Sequence, residues 1–349
     1  MAEVAKSYDG GQSKNLFYKD YDEEFIKEKG YEKWMSYREE WEKCCALEEI
    51  NYPLHLEIEL NYSCNLRCPM CTWSMEKTVE KRSEWFTFEN YKKLLTDAVA
   101  SGTKSVRLCY VNEPLLRPDL DQFIKCASDL GIVDILITTN GTLLTKDISK
   151  KIIESGLTKL NVSLDATTEE TYNKVRVGGN FNVTIKNILD FLEVRKSLNK
   201  KLPKLRVTFV RTKINDHERD AFVNYWKDKA DSIGIQNAIN PFGDGRFKDP
   251  SKKELLIINN KNQNKNEGPK EFHCPEPFKR MTVRDNGDVL GCCSMYAMDL
   301  VVGNWKKNTL KDIWNGDKMK ELRSIHKSGE YYKNNICKMC VENYSFITD

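Results

Sequence analysis

The sequence predicts an α/β protein with a partial, TIM-like (β/α)6 barrel followed by a small α+β domain. Three observations support this fold class. Short apolar runs alternate with helical segments from Leu54 to about residue 245, a polar stretch interrupts the pattern, and a hairpin signal with helices follows it. The chain has 349 residues, enough for a barrel-sized domain and a smaller one. The predicted parts are residues 1–52 (extension), 53–245 (barrel), 246–272 (linker) and 273–349 (second domain).

The barrel prediction depends on the order of its elements. Similar strand–helix units predict a parallel sheet with right-handed crossovers, and so many units favour a barrel over an open sheet. The strands are predicted at residues 54–60, 105–111, 133–140, 157–166, 204–213 and 235–242. The helices are predicted at residues 86–102, 120–131, 146–156, 181–198 and 217–234. In such a barrel the chemistry belongs at the carboxyl ends of the strands.

The first 52 residues are polar and aromatic. Their aromatic side chains recur at mostly helical intervals, at Phe25, Tyr31, Trp34, Tyr37 and Trp41. We expect one or two amphipathic helices packed on the main domain, with a separate recognition module as the alternative.

The region after the barrel begins with a polar linker rich in Lys, Asn, Pro and Gly. In MTVRDNGDVLGCC (281–293), Asn286-Gly287 is a preferred hairpin turn between two alternating segments. The stretch 311–329 is then predicted to be a helix, and a Cys-x-x-Cys pair at Cys337 and Cys340 follows.

Composition excludes several classes of protein. The formal net charge is +3, from 55 basic and 52 acidic side chains, so no basic surface typical of a nucleic-acid binder is expected. The first residues show no signal peptide, and no stretch approaches the ~20 apolar residues of a membrane span. We therefore expect a cytoplasmic protein with no nucleic-acid or membrane partner.

Twelve cysteines in a long chain expected in the cytosol favour metal binding over disulfides. Cys64, Cys68 and Cys71 lie just beyond the first predicted barrel strand, in a C-x3-C-x2-C spacing. Three thiolates can bind three corners of an iron-sulfur cube and leave the fourth iron open. A zinc site with a distant fourth ligand is the alternative.

The stretch Cys64-Asn-Leu-Arg-Cys68-Pro-Met-Cys71 resembles the cluster motif of the radical S-adenosylmethionine (radical SAM) enzymes. The resemblance implies a four-iron, four-sulfur (4Fe-4S) cluster whose open iron binds the methionine part of SAM. It also implies reductive cleavage of SAM to a 5′-deoxyadenosyl radical that abstracts a hydrogen from a substrate.

The same resemblance assigns residues at successive strand ends to SAM. VNEPLLRPD resembles the family's GGEP segment, although Val111 and Asn112 replace the usual glycines. ITTNGTLL and VSLDA match the polar segments after the third and fourth strands, and Arg211 is a possible carboxylate or substrate contact. For each polar residue alone, a structural hydrogen bond is about as plausible as a ligand contact. The implied SAM-binding residues are Met70, Asn112, Glu113, Pro114, Thr139, Asn140, Ser163, Asp165 and Arg176.

The last 75 or so residues resemble the shortened, or twitch, form of the SPASM extension of radical SAM enzymes. The residues that carry the resemblance are Cys274, Gly287, Cys292, Cys337 and Cys340. Four cysteines imply one auxiliary 4Fe-4S cluster ligated at every corner, with a zinc ribbon as the alternative. A closed cluster has no iron to offer a substrate, so accepting or relaying an electron is its expected role.

A substrate radical has two outcomes in this arrangement. Loss of a proton and an electron gives oxidation, and a hydrogen from a thiol gives epimerisation. Cys293 and Cys109 are the candidate donors, each with a buried structural cysteine as the alternative, and Arg211 is a weak candidate for the proton acceptor.

The expected function is oxidation or epimerisation of a small polar molecule of the sugar or aminocyclitol class. The partners implied are that substrate and an external electron donor such as flavodoxin or ferredoxin. The alternative within enzymes is a maturase that modifies a ribosomally made peptide. The alternative outside enzymes is a metal-binding structural or electron-carrier protein.

Overall fold

The computed structural model describes residues 14–17, 22–75, 85–238 and 269–343, and of residues 14–17 only the backbone. One mixed sheet of ten strands runs through them in the order β1-β7-β6-β5-β4-β3-β2-β8-β9-β10. The strands are β1 (Lys14–Phe17), β2 (His55–Ile58), β3 (Ser105–Arg107), β4 (Asp134–Thr139), β5 (Lys159–Ser163), β6 (Lys204–Arg211), β7 (Ser232–Asn237), β8 (Arg280–Val283), β9 (Asp288–Leu290) and β10 (Val301–Asn304).

The central part of the sheet is parallel. Strands β2 to β7 pair in chain order, each parallel to the next, and helices connect them. The helices are α1 (Asp22–Lys29), α2 (Tyr31–Cys45), α3 (Thr72–Met75), α4 (Phe88–Ser101), α5 (Leu120–Asp129), α6 (Lys146–Glu154), α7 (Glu169–Val175), α8 (Phe181–Ser197), α9 (Arg219–Trp226), α10 (Glu276–Lys279), α11 (Leu310–Trp314), α12 (Asp317–Lys327) and α13 (Asn335–Asn343). This confirms the predicted partial (β/α)6 barrel.

Several crossover helices begin at a polar side chain that accepts a hydrogen bond from the first turn. Thr87 caps α4, Thr145 caps α6, and Asn180 caps α8 in this way. Each cap satisfies one backbone N–H that the helix itself leaves without a partner, and such a cap typically contributes about 1 kcal/mol. The chain can therefore leave a strand end and begin a helix within a short loop.

Helices α1 and α2 pack at the amino ends of the barrel strands. The Tyr37 hydroxyl donates to Asp134 at the start of β4 (3.2 Å), and Glu24 pairs with Lys204 at the start of β6 (2.6 Å). The Trp41 ring meets the His55 ring at the start of β2 edge to face. These contacts confirm the predicted packing of the extension on the main domain. The structure adds that the extension packs on the side opposite the carboxyl ends of the strands.

The carboxyl-terminal part continues the barrel sheet. β8 pairs parallel with β2, and β9 and β10 follow it antiparallel. Met281 and Val283 on β8 and Trp314 on α11 belong to the same buried cluster as the barrel core. The two parts therefore share one core, and the predicted domain boundaries at residues 52, 245 and 272 stay a prediction.

Some boundaries differ from the prediction. The last crossover helix ends at Trp226 and β7 already begins at Ser232, so the predicted helix 217–234 was too long and the predicted strand 235–242 began too late. Residues 239–242 of that predicted strand lie outside the described residues. Residues Ser232–Asn237 pair in register with Arg206–Arg211 of β6, so this pairing sets where β7 begins. The predicted helix 311–329 is two helices, broken at Asn315 and Gly316.

Three further differences concern the extension and the hairpin. Tyr31 is 63% exposed and does not share the buried face of Phe25 and Trp34. β1 was not predicted from the sequence, and it pairs antiparallel with β7. The hairpin forms, but the N–H of Gly287 bonds to the carbonyl of Arg284, so its loop is longer than two residues.

Most of the predicted linker, residues 246–268, lies outside the described residues. Within the described part of the chain, no helix is long and apolar enough to cross a bilayer.

Candidate active site

The loop between β2 and α3 carries Cys64, Cys68 and Cys71. Hydrogen bonds connect this loop to the loops after β4 and α7. The Asn65 side chain accepts from Asn140 Nδ2 and donates to Thr142 Oγ1, both at 2.9 Å, and the Arg67 N–H donates to the carbonyl of Val177 (2.8 Å). These bonds hold the cysteine loop over the carboxyl ends of the strands.

A cavity of about 410 Å³ opens at this end of the barrel. The structure brings most of the predicted site residues to its wall, as the parallel topology requires. Those that line it are Cys64, Cys68, Met70, Cys71, Asn112, Glu113, Thr139, Asn140, Ser163, Arg176 and Cys293. The residues predicted for the site that do not line it are Cys109, Pro114, Asp165 and Arg211.

The three loop thiols have the chemistry of a thiolate cluster site. Burial raises the pKa of Cys64 and Cys68, and it raises that of Cys71 to about 12. Such thiols stay neutral unless a bound metal stabilises their thiolates. Among the described residues, no three His, Cys, Asp or Glu side chains are gathered as the ligands of a single metal ion.

Arg176 brings a positive charge to this loop. Its guanidinium lies 3.6 Å from the sulfur of Cys68 and forms an ion pair with Asp165. Although burial alone would lower it, Asp165 raises the pKa of Arg176, so the guanidinium stays charged. Asp165 itself is fully buried, with its backbone at a positive φ of 61°. The structure therefore places Asp165 behind Arg176 and Arg176 beside the cysteine loop.

Glu113 joins the ends of β3 and β4. Its carboxylate accepts hydrogen bonds from Thr139 Oγ1 (2.6 Å), the Asn140 N–H (2.8 Å) and the Leu115 N–H (3.1 Å). Burial raises the pKa of Glu113, and these hydrogen bonds oppose the shift. Pro114 starts the short 3-10 helix Pro114–Leu116 that follows. One carboxylate thus fixes both polar segments that the sequence singled out.

Asn112 takes the place of a glycine in the resemblance. Its amide accepts from the N–H of Tyr110 (2.9 Å) and donates to Asn61 Oδ1 (2.8 Å). The side chain therefore bridges the loops after β2 and β3 at the cavity wall.

Arg211 and Cys109, the predicted proton acceptor and one of the predicted hydrogen donors, are both engaged in structural contacts. Arg211 donates to both oxygens of Asp216 (2.7 and 3.2 Å) and to Asn237 (3.2 Å). Cys109 is buried, and its sulfur accepts from the Thr138 N–H (3.2 Å). Neither side chain reaches the cavity wall.

Sequence reasoning missed the charged floor of the cavity. Glu57 is 1% exposed and accepts from Arg107 Nη1 (3.3 Å) and Arg280 Nη1 (3.1 Å). Arg107 also donates to Thr138 Oγ1 (3.0 Å). The alternation in LHLEIEL could have predicted this floor. Glu57 and Glu59 lie on the strand face opposite to Leu56 and Ile58, and so point into the barrel.

A second, smaller cavity of about 50 Å³ contains the other cysteine group. Cys274, Cys292, Cys337 and Cys340 all line it. They converge from three directions, because Cys274 precedes α10, Cys292 follows β9, and the last two lie one turn apart on α13. Burial raises the pKa of all four thiols, that of Cys337 to about 12.

Cys293 lies between the two cavities and lines both. Its thiol donates to the buried Glu276 carboxylate, with 3.6 Å between Sγ and Oε2. Burial raises the pKa of Cys293, so the sulfur keeps its hydrogen.

The fold and the two cysteine groups define a class: a partial barrel with a three-cysteine loop at its carboxyl end and a four-cysteine group beside it. The family comparisons agree with this description. Residues 58–224 match the Radical SAM superfamily, and residues 274–341 match SPASM, an iron-sulfur cluster-binding domain. The chain therefore carries a radical SAM domain followed by a SPASM iron-sulfur cluster-binding domain.

The curated relatives include GTP 3′,8-cyclases. That of Limosilactobacillus fermentum is 33% identical over 175 residues, which are 50% of this chain and 51% of the relative. That of Clostridium botulinum strain Hall is 31% identical over 200 residues, 57% of this chain and 59% of the relative. The chain thus matches only about half the length of these relatives.

Solved structures share the fold at lower identity. BtrN in complex with AdoMet and 2-DOIA is 20% identical with a TM-score of 0.51, over 86% of this chain and 98% of BtrN. Streptococcus suis SuiB bound to its precursor peptide SuiA is 20% identical with a TM-score of 0.62, over 91% of this chain and 80% of SuiB.

The cofactors follow from these domains. The chain binds SAM and a SAM-binding 4Fe-4S cluster in its radical SAM domain, and an auxiliary iron-sulfur cluster in its SPASM domain. Which residues hold them stays a prediction, as does the number of irons in the auxiliary cluster.

Proposed function

We propose that this protein is a radical SAM enzyme that oxidises or epimerises a small polar molecule of the sugar or aminocyclitol class. The observation that carries the proposal is the polar floor of the larger cavity, which faces the three-cysteine loop. Cluster-bound SAM supplies a 5′-deoxyadenosyl radical that takes a hydrogen atom from a substrate. The residues of this chain bind, orient and enclose the molecule that reacts.

The cofactor-binding roles go to the residues that surround the cavity. Cys64, Cys68 and Cys71 hold the open cluster, and Met70 contacts the adenine through its backbone. The polar segments after the strands hold the methionine and ribose parts of SAM through Asn112, Glu113, Thr139, Asn140, Ser163 and Arg176. Pro114 and Asp165 contribute from behind the wall, by shaping the loop after β3 and by pairing with Arg176.

The floor of the cavity supports the substrate class. Glu57 is a buried charge held between Arg280, which is also buried, and Arg107, which is partly exposed to the cavity. Keeping such charges out of water is costly unless hydrogen-bonding partners satisfy them. A ligand with several hydroxyl or amino groups matches this floor, because each group offers a donor or an acceptor to a fixed partner.

The choice between oxidation and epimerisation rests on Cys293 and the auxiliary cluster. Cys293 reaches the larger cavity with a protonated thiol, which is the form that can donate a hydrogen atom. The four-cysteine cavity beside it would hold the electron acceptor that oxidation needs. Cys109 is a weaker candidate for the donor, because its sulfur is turned to the Thr138 N–H. Arg211 is a weaker candidate for the proton acceptor, because Asp216 holds it.

Peptide modification is the second candidate. The fold likeness to SuiB, whose structure was solved with a precursor peptide, favours it. The extension does not add support, because α1 and α2 pack at the amino ends of the strands, far from the cavity mouth. The match to GTP 3′,8-cyclases spans half of each chain and supports radical SAM chemistry more than a particular substrate. An external electron donor such as flavodoxin or ferredoxin is part of the proposal.

A deuterium experiment tests the proposal. The reconstituted protein is incubated with SAM, a strong reductant and a panel of sugars and aminocyclitols that carry deuterium on ring carbons. We expect deuterium in 5′-deoxyadenosine with one of them, by mass spectrometry. In D2O with unlabelled substrate, epimerisation through Cys293 adds one deuterium to the product and Cys293→Ala prevents this, whereas oxidation adds none. Transfer from a peptide, with none from any small polar molecule, would overturn the proposed substrate class.

A further inference from the structure

Two of the four cysteines in the smaller cavity have polar side chains beside their sulfurs. His326 Nε2 lies 3.3 Å from Cys337 Sγ, and Ser294 Oγ lies 3.2 Å from Cys340 Sγ. A cluster-bound thiolate carries no hydrogen and can only accept. In the loaded protein the imidazole nitrogen and the hydroxyl must therefore be the donors.

The surroundings of Ser294 favour that direction. Its hydroxyl oxygen already accepts from the Tyr296 N–H (3.2 Å), which starts the 3-10 helix Met295–Asp299. With one lone pair engaged, the hydroxyl hydrogen is available for Cys340. The Ser294 position is itself fixed, because its carbonyl accepts from the Tyr110 hydroxyl (2.7 Å).

His326 is held as firmly. It is 2% exposed on the inner face of α12, and its own carbonyl contacts the ring of His273 (2.9 Å). Burial and this backbone contact hold His326 next to Cys337.

Apart from Cys293 and Glu276, whose carboxylate pairs with Lys279 and Arg280, the rest of the smaller cavity is apolar. Its other walls include Phe272, Leu300, Leu322, Ile336 and Val341. A reduced cluster carries one more negative charge than an oxidised one, so apolar burial disfavours reduction. Hydrogen bonds to the sulfurs act in the opposite direction, because they stabilise the charge that reduction adds.

We propose that His326 and Ser294 are positioning residues that raise the reduction potential of the auxiliary cluster by donating hydrogen bonds to Cys337 and Cys340. The inference rests on the proposed ligand set and on the electron-accepting role in the proposed function. Tyr110 links this hydrogen-bond network to the larger cavity, because its side chain lines that cavity while its hydroxyl donates to the Ser294 carbonyl. One tyrosine and one serine thus connect the reaction cavity to a ligand of the auxiliary cluster.

Potentiometric titration of the full-length, reconstituted protein, followed by electron paramagnetic resonance (EPR), tests the inference. The auxiliary signal is identified as the one that SAM does not perturb, and as the one that persists when Cys64, Cys68 and Cys71 are all replaced by alanine. We expect Ser294→Ala and His326→Phe each to shift its midpoint to a more negative value. Ser294→Thr keeps the hydroxyl and His326→Gln offers an N–H. In both variants the midpoint should therefore stay close to that of the unmodified protein. Ser149→Ala, at a buried serine on α6, is the matched control and should shift nothing.

An unchanged auxiliary midpoint in Ser294→Ala and His326→Phe, with full iron content, would overturn the inference. If His326→Phe loses iron from this site, the Ser294 pair decides alone. The proposed function fails separately: a shifted midpoint with no turnover of any small polar substrate leaves the tuning intact. The ligand set also fails separately, if Cys337→Ala and Cys340→Ala keep the auxiliary signal.

Discussion

Glu113 shows how a single buried residue organises the site. Its carboxylate receives three hydrogen bonds from the segments after β3 and β4. Through Asn140 the same network reaches Asn65 in the cysteine loop. The position of the cluster loop therefore depends on polar contacts outside its cysteines.

Replacing Glu113 by glutamine tests this arrangement. The amide keeps the shape, but it offers one neutral oxygen to three donors, so we expect unfolding free energy to fall by about 1–3 kcal/mol. SAM affinity should also fall, as measured by equilibrium binding to the reconstituted protein. Glu193→Gln, which removes an exposed pair with Lys146, should change neither quantity. Unchanged stability and SAM affinity in Glu113→Gln would contradict the assignment.

At the scale of elements, the barrel has two ends with different tasks. The cluster loop and the polar strand ends meet at the carboxyl end, and α1 and α2 close the amino end. The aromatic cluster of the extension forms its own small core with Leu54, Val133, Leu202 and Phe278. The described part of the extension therefore contributes to packing, and none of its residues lines the cavity.

Tyr37→Phe separates the two tasks. The change removes one buried hydrogen bond to Asp134, which keeps Thr158 and Lys159 as partners. We expect a loss of about 1 kcal/mol in chemical denaturation. The rate of SAM cleavage should equal that of the unmodified protein. A variant that stays folded but loses SAM cleavage would show that the extension acts on the site.

Arg211→Gln tests whether the β6 end is structural. The pair with Asp216 lies partly in solvent, so its loss should cost only about 1 kcal/mol. Arg211 lowers the pKa of Asp216 below its usual 3.8. The contribution of the pair is therefore present at neutral pH and disappears as the pH falls through the lowered pKa. In denaturation curves, the stability difference between the unmodified protein and Arg211→Gln should therefore be present at neutral pH and shrink at acidic pH. A large loss of turnover with intact stability would instead assign Arg211 to catalysis.

At the scale of the whole molecule, the sequence predicted the framework better than the contacts. Alternating apolar runs and the spacing of Cys64, Cys68 and Cys71 are local signals, so the barrel and the cluster loop could be predicted. Arg176 beside Cys68 and His326 beside Cys337 could not, because each contact joins segments that only the fold brings together. The same limit applies to the start of β7, which its pairing with β6 decides.

The two cysteine groups divide the work of the molecule. The open site at the barrel mouth has three cysteines, and the closed site has four and lies behind Cys293. In our proposal the radical forms at the three-cysteine site, and the cluster at the four-cysteine site accepts or relays an electron after hydrogen abstraction. Loss of the three-cysteine group should therefore have consequences different from loss of the four-cysteine group.

The measurement that tests this division most directly is the yield of 5′-deoxyadenosine from SAM under a strong reductant, after anaerobic reconstitution with iron and sulfide. We predict cleavage by the unmodified protein and by Cys337→Ala, and none when Cys64, Cys68 and Cys71 are replaced by alanine. Cleavage that survives loss of the three loop cysteines would contradict the account. So would an unmodified protein that binds zinc and leaves SAM intact, the result expected of a structural or electron-carrier protein.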